Sequence, residues 1–128
     1  MRSKNARMVA QFRHHFGLPV RSFPEVLEAD LELHGKLLAE EVSEFLIAVK
    51  DKDPVEIVDA LGDILYVVYG AALDAGVDVD AAFARIHESN MAKLGPDGRP
   101  IKDEHGKVRK PDGWEPPRLA DLAGIDPR

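Results

Sequence analysis

One segment, residues 54–75, constrains this chain more than any other. At about 100° per residue, Ile57, Val58, Leu61, Ile64, Leu65, Val67, Val68, Ala71 and Ala72 cover most of a helix's circumference. A helix that apolar reads as the buried central helix of an all-α domain. The narrow stripe left over holds Glu56, Asp59, Asp63, Tyr66 and Gly70. An unpaired, ionised carboxylate on such a helix is very costly, and like charges one turn apart repel. No Lys or Arg lies between Lys52 and Arg85 to neutralise the two Asp residues. The pattern therefore calls for a cation from elsewhere.

The flanking segments read as partners for that helix. Residues 3–16 predict a first helix with Met8, Val9, Phe12 and Phe16 on one face, stopped by Gly17 and Pro19. Residues 28–52 predict a second, with Leu31, Leu38, Val42, Phe45 and Val49 as its core stripe. Asp53 is a good N-cap for the central helix, Pro54 suits its first position, and Glu56 completes a capping box. Gly76 closes it. Asp78 then caps a fourth helix, 79–93, with Val79, Phe83 and Ile86 inward. From Leu94 the pattern changes. Gly95-Pro96-Asp97-Gly98 is turn chemistry, and residues 101–103 and 107–109 suit a small β-hairpin. A loop carrying Trp114 follows, then a short helix over 118–123. The expected architecture is a single domain, 1–128: a four-helix bundle over about 3–93 and an irregular C-terminal arm, 94–128.

Composition removes several function classes. There is no Cys, so disulfides, thiolate metal sites and Cys nucleophiles are excluded. No apolar run approaches the ~20 residues of a membrane span, and the polar N-terminus lacks a signal-peptide core. A cytoplasmic protein is expected, with no membrane partner. Net charge is −6, which argues against general nucleic-acid binding. Charge is also unevenly spread. Residues 1–24 carry five bases and no acid, whereas residues 25–63 carry twelve acids against three bases.

Those acids fall into two groups. Glu40, Glu41 and Glu44 form EExxE on the second helix, and Asp59 and Asp63 lie one turn apart on the third. The short link between these helices predicts antiparallel packing, which lets the two acidic stripes face each other. Mg²⁺, or Mn²⁺, is the natural counter-ion, because hard cations take oxygen ligands. The competing reading is a salt-bridge network to the basic first helix. Zinc and di-iron chemistry fit poorly, since the five His residues are scattered and no ExxH pair exists. Nor is there a phosphate-cradling Gly-rich loop or a GxSxG elbow. Asn90 falls on the apolar face of the fourth helix and needs a partner. Lys93, near that helix's end, reads equally as a cation on the macrodipole or as a ligand contact. Lys107 and Lys110 reach phosphate or are simply solvated.

The paired acidic motifs resemble those of the all-α nucleoside triphosphate pyrophosphohydrolases, the MazG-like superfamily. Its signature is EExxE on one helix and ExxD on the next. Glu40-Glu41-Val42-Ser43-Glu44 matches the first part, and Ala60-Leu61-Gly62-Asp63 aligns with the second. The run Ile64–Gly70, the string His87–Lys93 and the tail segments Asp103–Lys107 and Pro111–Trp114 look most like the MazG-like dUTP pyrophosphatase group described from Deinococcus. One position departs: the Glu of ExxD falls on Ala60, and either Glu56-Ile57-Val58-Asp59 supplies ExxD out of the usual register or Asp59, which shares a face with Asp63, substitutes as the ligand.

This resemblance implies hydrolysis of a nucleoside triphosphate, with dUTP the leading candidate, to the monophosphate and pyrophosphate. It implies Mg²⁺ or Mn²⁺ held by Glu40, Glu41, Glu44, Asp59 and Asp63, with Glu40 and Glu41 as catalytic groups. Asn90, Lys93 and Lys107 would bind substrate, and the base would sit near Phe12 and His14. It also implies a homodimer or homotetramer that clears unwanted nucleotides from the pool. The Ala60 departure keeps a second class open, a non-catalytic helical module that binds a nucleotide or Mg²⁺.

Overall fold

The structure, a computed structural model, describes residues 2–125. Among them are four α-helices: α1 (Lys4–His15), α2 (Leu31–Lys50), α3 (Pro54–Ala75) and α4 (Val79–Met91). A two-stranded antiparallel hairpin follows, β1 (Ile101–Lys102) and β2 (Val108–Arg109), and then one 3-10 turn at Asp121–Ala123. The fold is all-α with a small hairpin in the arm, as the sequence predicts. The chain divides into two compact units, one ending at Val79 and one beginning at Asp80.

In the first unit, side-chain caps set where the helices begin. The Ser3 hydroxyl accepts the Ala6 N–H at 3.1 Å, and the Asp53 carboxylate accepts the Glu56 N–H at 3.2 Å. Asp30 caps α2 through the Leu33 N–H at 3.2 Å, so this helix starts at Leu31, the first residue of its apolar stripe, three residues after the predicted start. The far end of α3 is closed by Gly76, in the left-handed region at φ 71°. A Cβ there would lie 1.9 Å from the Phe23 carbonyl oxygen. That close approach belongs to a strap, residues 17–30, bound across the last turn of α3. Arg21 N–H donates to Leu73 O and Glu25 N–H to Ala75 O, at 2.9 and 2.8 Å, which satisfies carbonyls left over at the helix end.

Helices α2 and α3 pack antiparallel along their lengths. His34 meets Asp74 at one end, and Glu41 and Glu44 meet Asp63 further on. Helix α1 lies on the C-terminal half of α3, where Val9, Ala10 and Leu73 form a small core with Val20 and Tyr69 against it.

Burial corrects three expectations. On α1 the inward residues are Ala6, Val9, Ala10 and Arg13, while Met8, Phe12 and Phe16 stay exposed. Small side chains let α1 approach α3 closely. The two phenylalanines instead stack on each other, 4.4 Å between centroids, and Phe12 meets Tyr66 edge-on at 5.8 Å. The central helix is not enclosed either. Val55, Val58 and Leu65 are 73, 70 and 55% exposed, and Leu46 and Ile47 of α2 are exposed too. Apolar side chains ring most of α3, and within the first unit α1, α2 and the strap cover only part of them. On α4, Phe83 and Ile86 are exposed rather than inward.

In the second unit, the tail folds back along α4. Arg85 donates to both carboxylate oxygens of Asp121, at 2.7 and 3.0 Å, and to the Arg118 carbonyl at 2.9 Å. One helical turn on, the Trp114 indole N–H donates to the Ser89 carbonyl at 2.8 Å. The hairpin pairs Ile101 with Arg109 and Lys102 with Val108. Its turn is held by the Asp103 carboxylate, which accepts the His105 and Lys107 N–H groups at 2.8 and 2.9 Å. Among the described residues no helix is long and apolar enough to cross a membrane.

Candidate functional site

The antiparallel register carries EExxE against the middle of α3. One carboxylate oxygen from each of Glu41, Glu44 and Asp63 lies within 4.8 Å of the others. Glu41 and Asp63 are half-buried and Glu44 is exposed. Spacing explains the convergence: Glu41 and Glu44 lie one turn apart on the border of the α2 core stripe, and Asp63 lies on the one polar stripe of α3.

The electrostatics of this trio are uncompensated. Among the described residues, no Lys, Arg or His forms an ion pair with any of the three. The Glu41 Oε2 atom is buried and has no hydrogen-bond partner. Burial first, and then the charges of Glu44 and Asp63, push the Glu41 carboxyl above the ordinary carboxylate range. Three convergent carboxylates with an orphaned buried oxygen suit a hard divalent cation, which takes oxygen ligands and removes the repulsion. The residues present thus fit Mg²⁺ or Mn²⁺.

The other sequence-predicted residues take different places. Glu40 and Asp59 are exposed and lie outside the trio. Ala60, where the ExxD signature has Glu, is only 2% exposed. One turn beyond Asp63, Tyr66 joins Met8, Gln11, Phe12, His15 and Phe16 around an open recess of about 340 Å³. Phe12 lines this recess together with His15, and His14 does not. Asn90, Lys93 and Lys107 belong to the second unit. The partner Asn90 needs is Lys93, whose Nζ donates to Asn90 Oδ1 at 3.0 Å. The Lys107 ammonium makes no ion pair with a described residue.

Sequence reasoning missed a second charged cluster, at the other end of α3. Asp74 is buried. It holds Arg21 in an ion pair, receives the His34 Nε2 hydrogen bond at 3.1 Å and has Arg13 Nη2 at 3.8 Å. Arg13 Nε donates to the Pro19 carbonyl at 2.7 Å. Burial lowers the Arg13 pKa; the Asp74 charge opposes that shift and the Arg21 charge adds to it. The cluster joins α1, the strap, α2 and α3. Two signals in the sequence mark it: Arg13 sits in line with Val9 and Ala10, and Gly70 precedes Asp74 by one turn. A Cβ on Gly70 would lie 3.5 Å from Arg13 Nη1, an ordinary contact, so Gly70 places the backbone of α3 directly beside the guanidinium.

Two comparisons with known proteins bear on the chain. The profile of a family described as phosphoribosyl-ATP pyrophosphohydrolase matches residues 9–90, the span that contains the carboxylate trio. An uncharacterized protein of Acanthamoeba polyphaga mimivirus is 31% identical over 115 residues, which is 85% of this chain and 43% of that protein. The chain spans less than half the length of that relative.

Proposed function

The chain belongs to the phosphoribosyl-ATP pyrophosphohydrolase family, one of the MazG-like all-α nucleotide pyrophosphohydrolases, and from that premise we propose that it hydrolyses a nucleoside triphosphate, dUTP first, to the monophosphate and pyrophosphate. The observation that carries this reading is the trio of Glu41, Glu44 and Asp63 with its orphaned Glu41 oxygen. A divalent cation is what those groups lack, and phosphoanhydride hydrolysis is chemistry that such a cation serves.

In this reading Glu41, Glu44 and Asp63 hold Mg²⁺ or Mn²⁺, and Glu40 and Asp59 add ligands from the exposed rim. The bound cation would neutralise charge on the phosphate oxygens and make water a stronger nucleophile. Glu40 either holds a further cation or orients the attacking water, whose proton passes to solvent. Water oxygen bonds to phosphorus as the α–β bridging bond breaks, and the electron pair leaves with pyrophosphate. Asn90, Lys93 and Lys107 bind phosphate oxygens. The recess lined by Phe12, Phe16 and Tyr66 offers aromatic faces for the base, and the Gln11 amide offers a donor and an acceptor for its edge.

A second copy of the chain covers the exposed apolar side chains of α2 and α3, in a homodimer or homotetramer. Isolated soluble proteins rarely leave large apolar patches to water. The setting proposed is the cytoplasm and the role is removal of unwanted nucleotides.

The test is pyrophosphate release from a panel of nucleoside triphosphates with Mg²⁺, with Mn²⁺ and with chelator. Metal-dependent release is expected, fastest with dUTP, and Glu41→Gln should lower it by about two orders of magnitude or more. Wild-type silence across the panel, from a protein that still melts higher with Mg²⁺, would favour the binding-module reading that Ala60 keeps open.

A further inference from the structure

The second unit leaves two cations without a counter-charge at its one indole ring. Lys93 Nζ lies 5.4 Å and Lys110 Nζ 4.5 Å from the Trp114 ring centroid. The ring itself is fixed. Its N–H is bound to the Ser89 carbonyl at 2.8 Å, and Ser89 is buried. Cation–π attraction accounts for one ammonium on an indole face, at roughly 0.5–1 kcal/mol for an exposed site. It does not offset the repulsion between two.

Several other charged groups of this unit have partners of their own. Arg85 pairs with Asp121, Arg118 with Glu115, and His105 lies beside Glu104. The carboxylates of Asp97 and Asp103 accept backbone N–H groups in turns. Among the described residues, no carboxylate forms an ion pair with Lys93 or Lys110. Asn90 turns its carbonyl oxygen to Lys93 at 3.0 Å, which leaves its amide N–H groups as free donors. Lys93, Lys110 and the Asn90 amide thus bring donors to one place, two of them charged and neither in an ion pair with a described residue.

We propose that Lys93, Lys110 and Asn90, arrayed on Trp114, form a clip for an oligophosphate anion. Pyrophosphate or the phosphate tail of a nucleotide suits it, because several negative oxygens can meet both ammonium groups at once. Lys110 and Trp114 thereby join the phosphate-binding residues. The clip rests on the proposed reaction only for the choice of oligophosphate over other polyanions.

Trp114 is the chain's sole tryptophan, so its emission reports on this place alone. The full-length protein is titrated with pyrophosphate in chelator, with emission and calorimetry as readouts, and nucleotide hydrolysis is assayed on the same preparation. Saturable binding that changes Trp114 emission is expected. Lys93→Gln and Lys110→Gln should each weaken it about tenfold, as the loss of a charge-assisted contact does. Lys102→Gln, an equal loss of charge on β1, should leave it within about twofold. Absence of binding by both readouts overturns the clip, as does equal weakening in all three variants. Hydrolysis without pyrophosphate binding would sink the clip and keep the proposed reaction. Binding without hydrolysis would keep the clip and sink that reaction.

Discussion

Helix α3 carries acid at two places three turns apart, and the protein treats them in opposite ways. At its C-terminal end Asp74 is buried among Arg13, Arg21 and His34, drawn from three other segments. At its middle Asp63 faces Glu41 and Glu44, and no described cation pairs with the trio. The first carboxylate is neutralised by the fold. The second is pushed towards more negative charge. Burial costs charge in both places, so only the counter-ions differ. A folded chain that supplies cations at one end of a helix and withholds them at the middle sets a structural site apart from the proposed ligand site.

The largest expected effect lies at the structural end. Asp74→Ala removes the one carboxylate that, among the described residues, joins Arg13, Arg21 and His34. Breaking a buried pair from one side strands the charges that remain, so a loss of about 3–5 kcal/mol in unfolding free energy is expected. Adding Arg13→Met should recover part of it, since removing both partners is far less costly than removing one. Urea unfolding measures both variants. A loss under about 1 kcal/mol for Asp74→Ala would show that the cluster behaves like a surface pair and would erase the contrast drawn above.

The middle of the helix should respond to protons in the opposite sense from a paired acid. Glu41 is raised by burial and then by Glu44 and Asp63, above the ordinary value of about 4.3. Between that value and the raised one, the folded chain holds a proton that the unfolded chain has released. Stability therefore falls as pH rises through that window. In chelator, the melting temperature should drop on going upward, and Glu41→Gln should flatten the drop. With Mg²⁺ the slope should reverse, because the ligands must shed protons to bind metal. A wild-type profile that rises with pH in chelator would mean that the trio is already paired with a cation.

These contrasts also mark how far the sequence could be read. The helices and the hairpin were legible because their signals are local. Asp53-Pro54 starts α3, Gly76 ends it, and Asp103 and Gly106 shape the hairpin turn. The trio was legible because EExxE and Asp63 occupy fixed helical spacings and one short link sets their register. Asp74 escaped notice because its cations come from Arg13, Arg21 and His34, 40 residues or more away along the chain. The orientation of α1 escaped for a related reason. Periodicity ranks Phe12 and Phe16 above Ala6 and Ala10 as core residues. Close helix approach reverses that order, and the aromatic pair goes to the recess instead. The exposed side chains of α3 mark the same limit, since an apolar pattern does not say which chain will cover it.

The smallest expected effect tests the edge of the proposed ligand site, where Asp59 is the proposed substitute for the Glu that the signature places at Ala60. Asp59 lies one turn before Asp63 but is exposed, and it contributes no oxygen to the trio. Antiparallel packing carries position 59 past Glu44, towards the α2–α3 link. A carboxylate there can add an outer ligand but is too exposed to be the group on which cation binding depends. Asp59→Asn should therefore shrink the Mg²⁺-induced rise in melting temperature by less than half of what Asp63→Asn removes. Ala60→Glu sharpens the same point, because position 60 is buried where 59 is not. If Asp59→Asn matched Asp63→Asn, the exposed side chain would have to swing inward when metal binds. The boundary between the fold's own charges and those left for a ligand would then lie one turn earlier on α3.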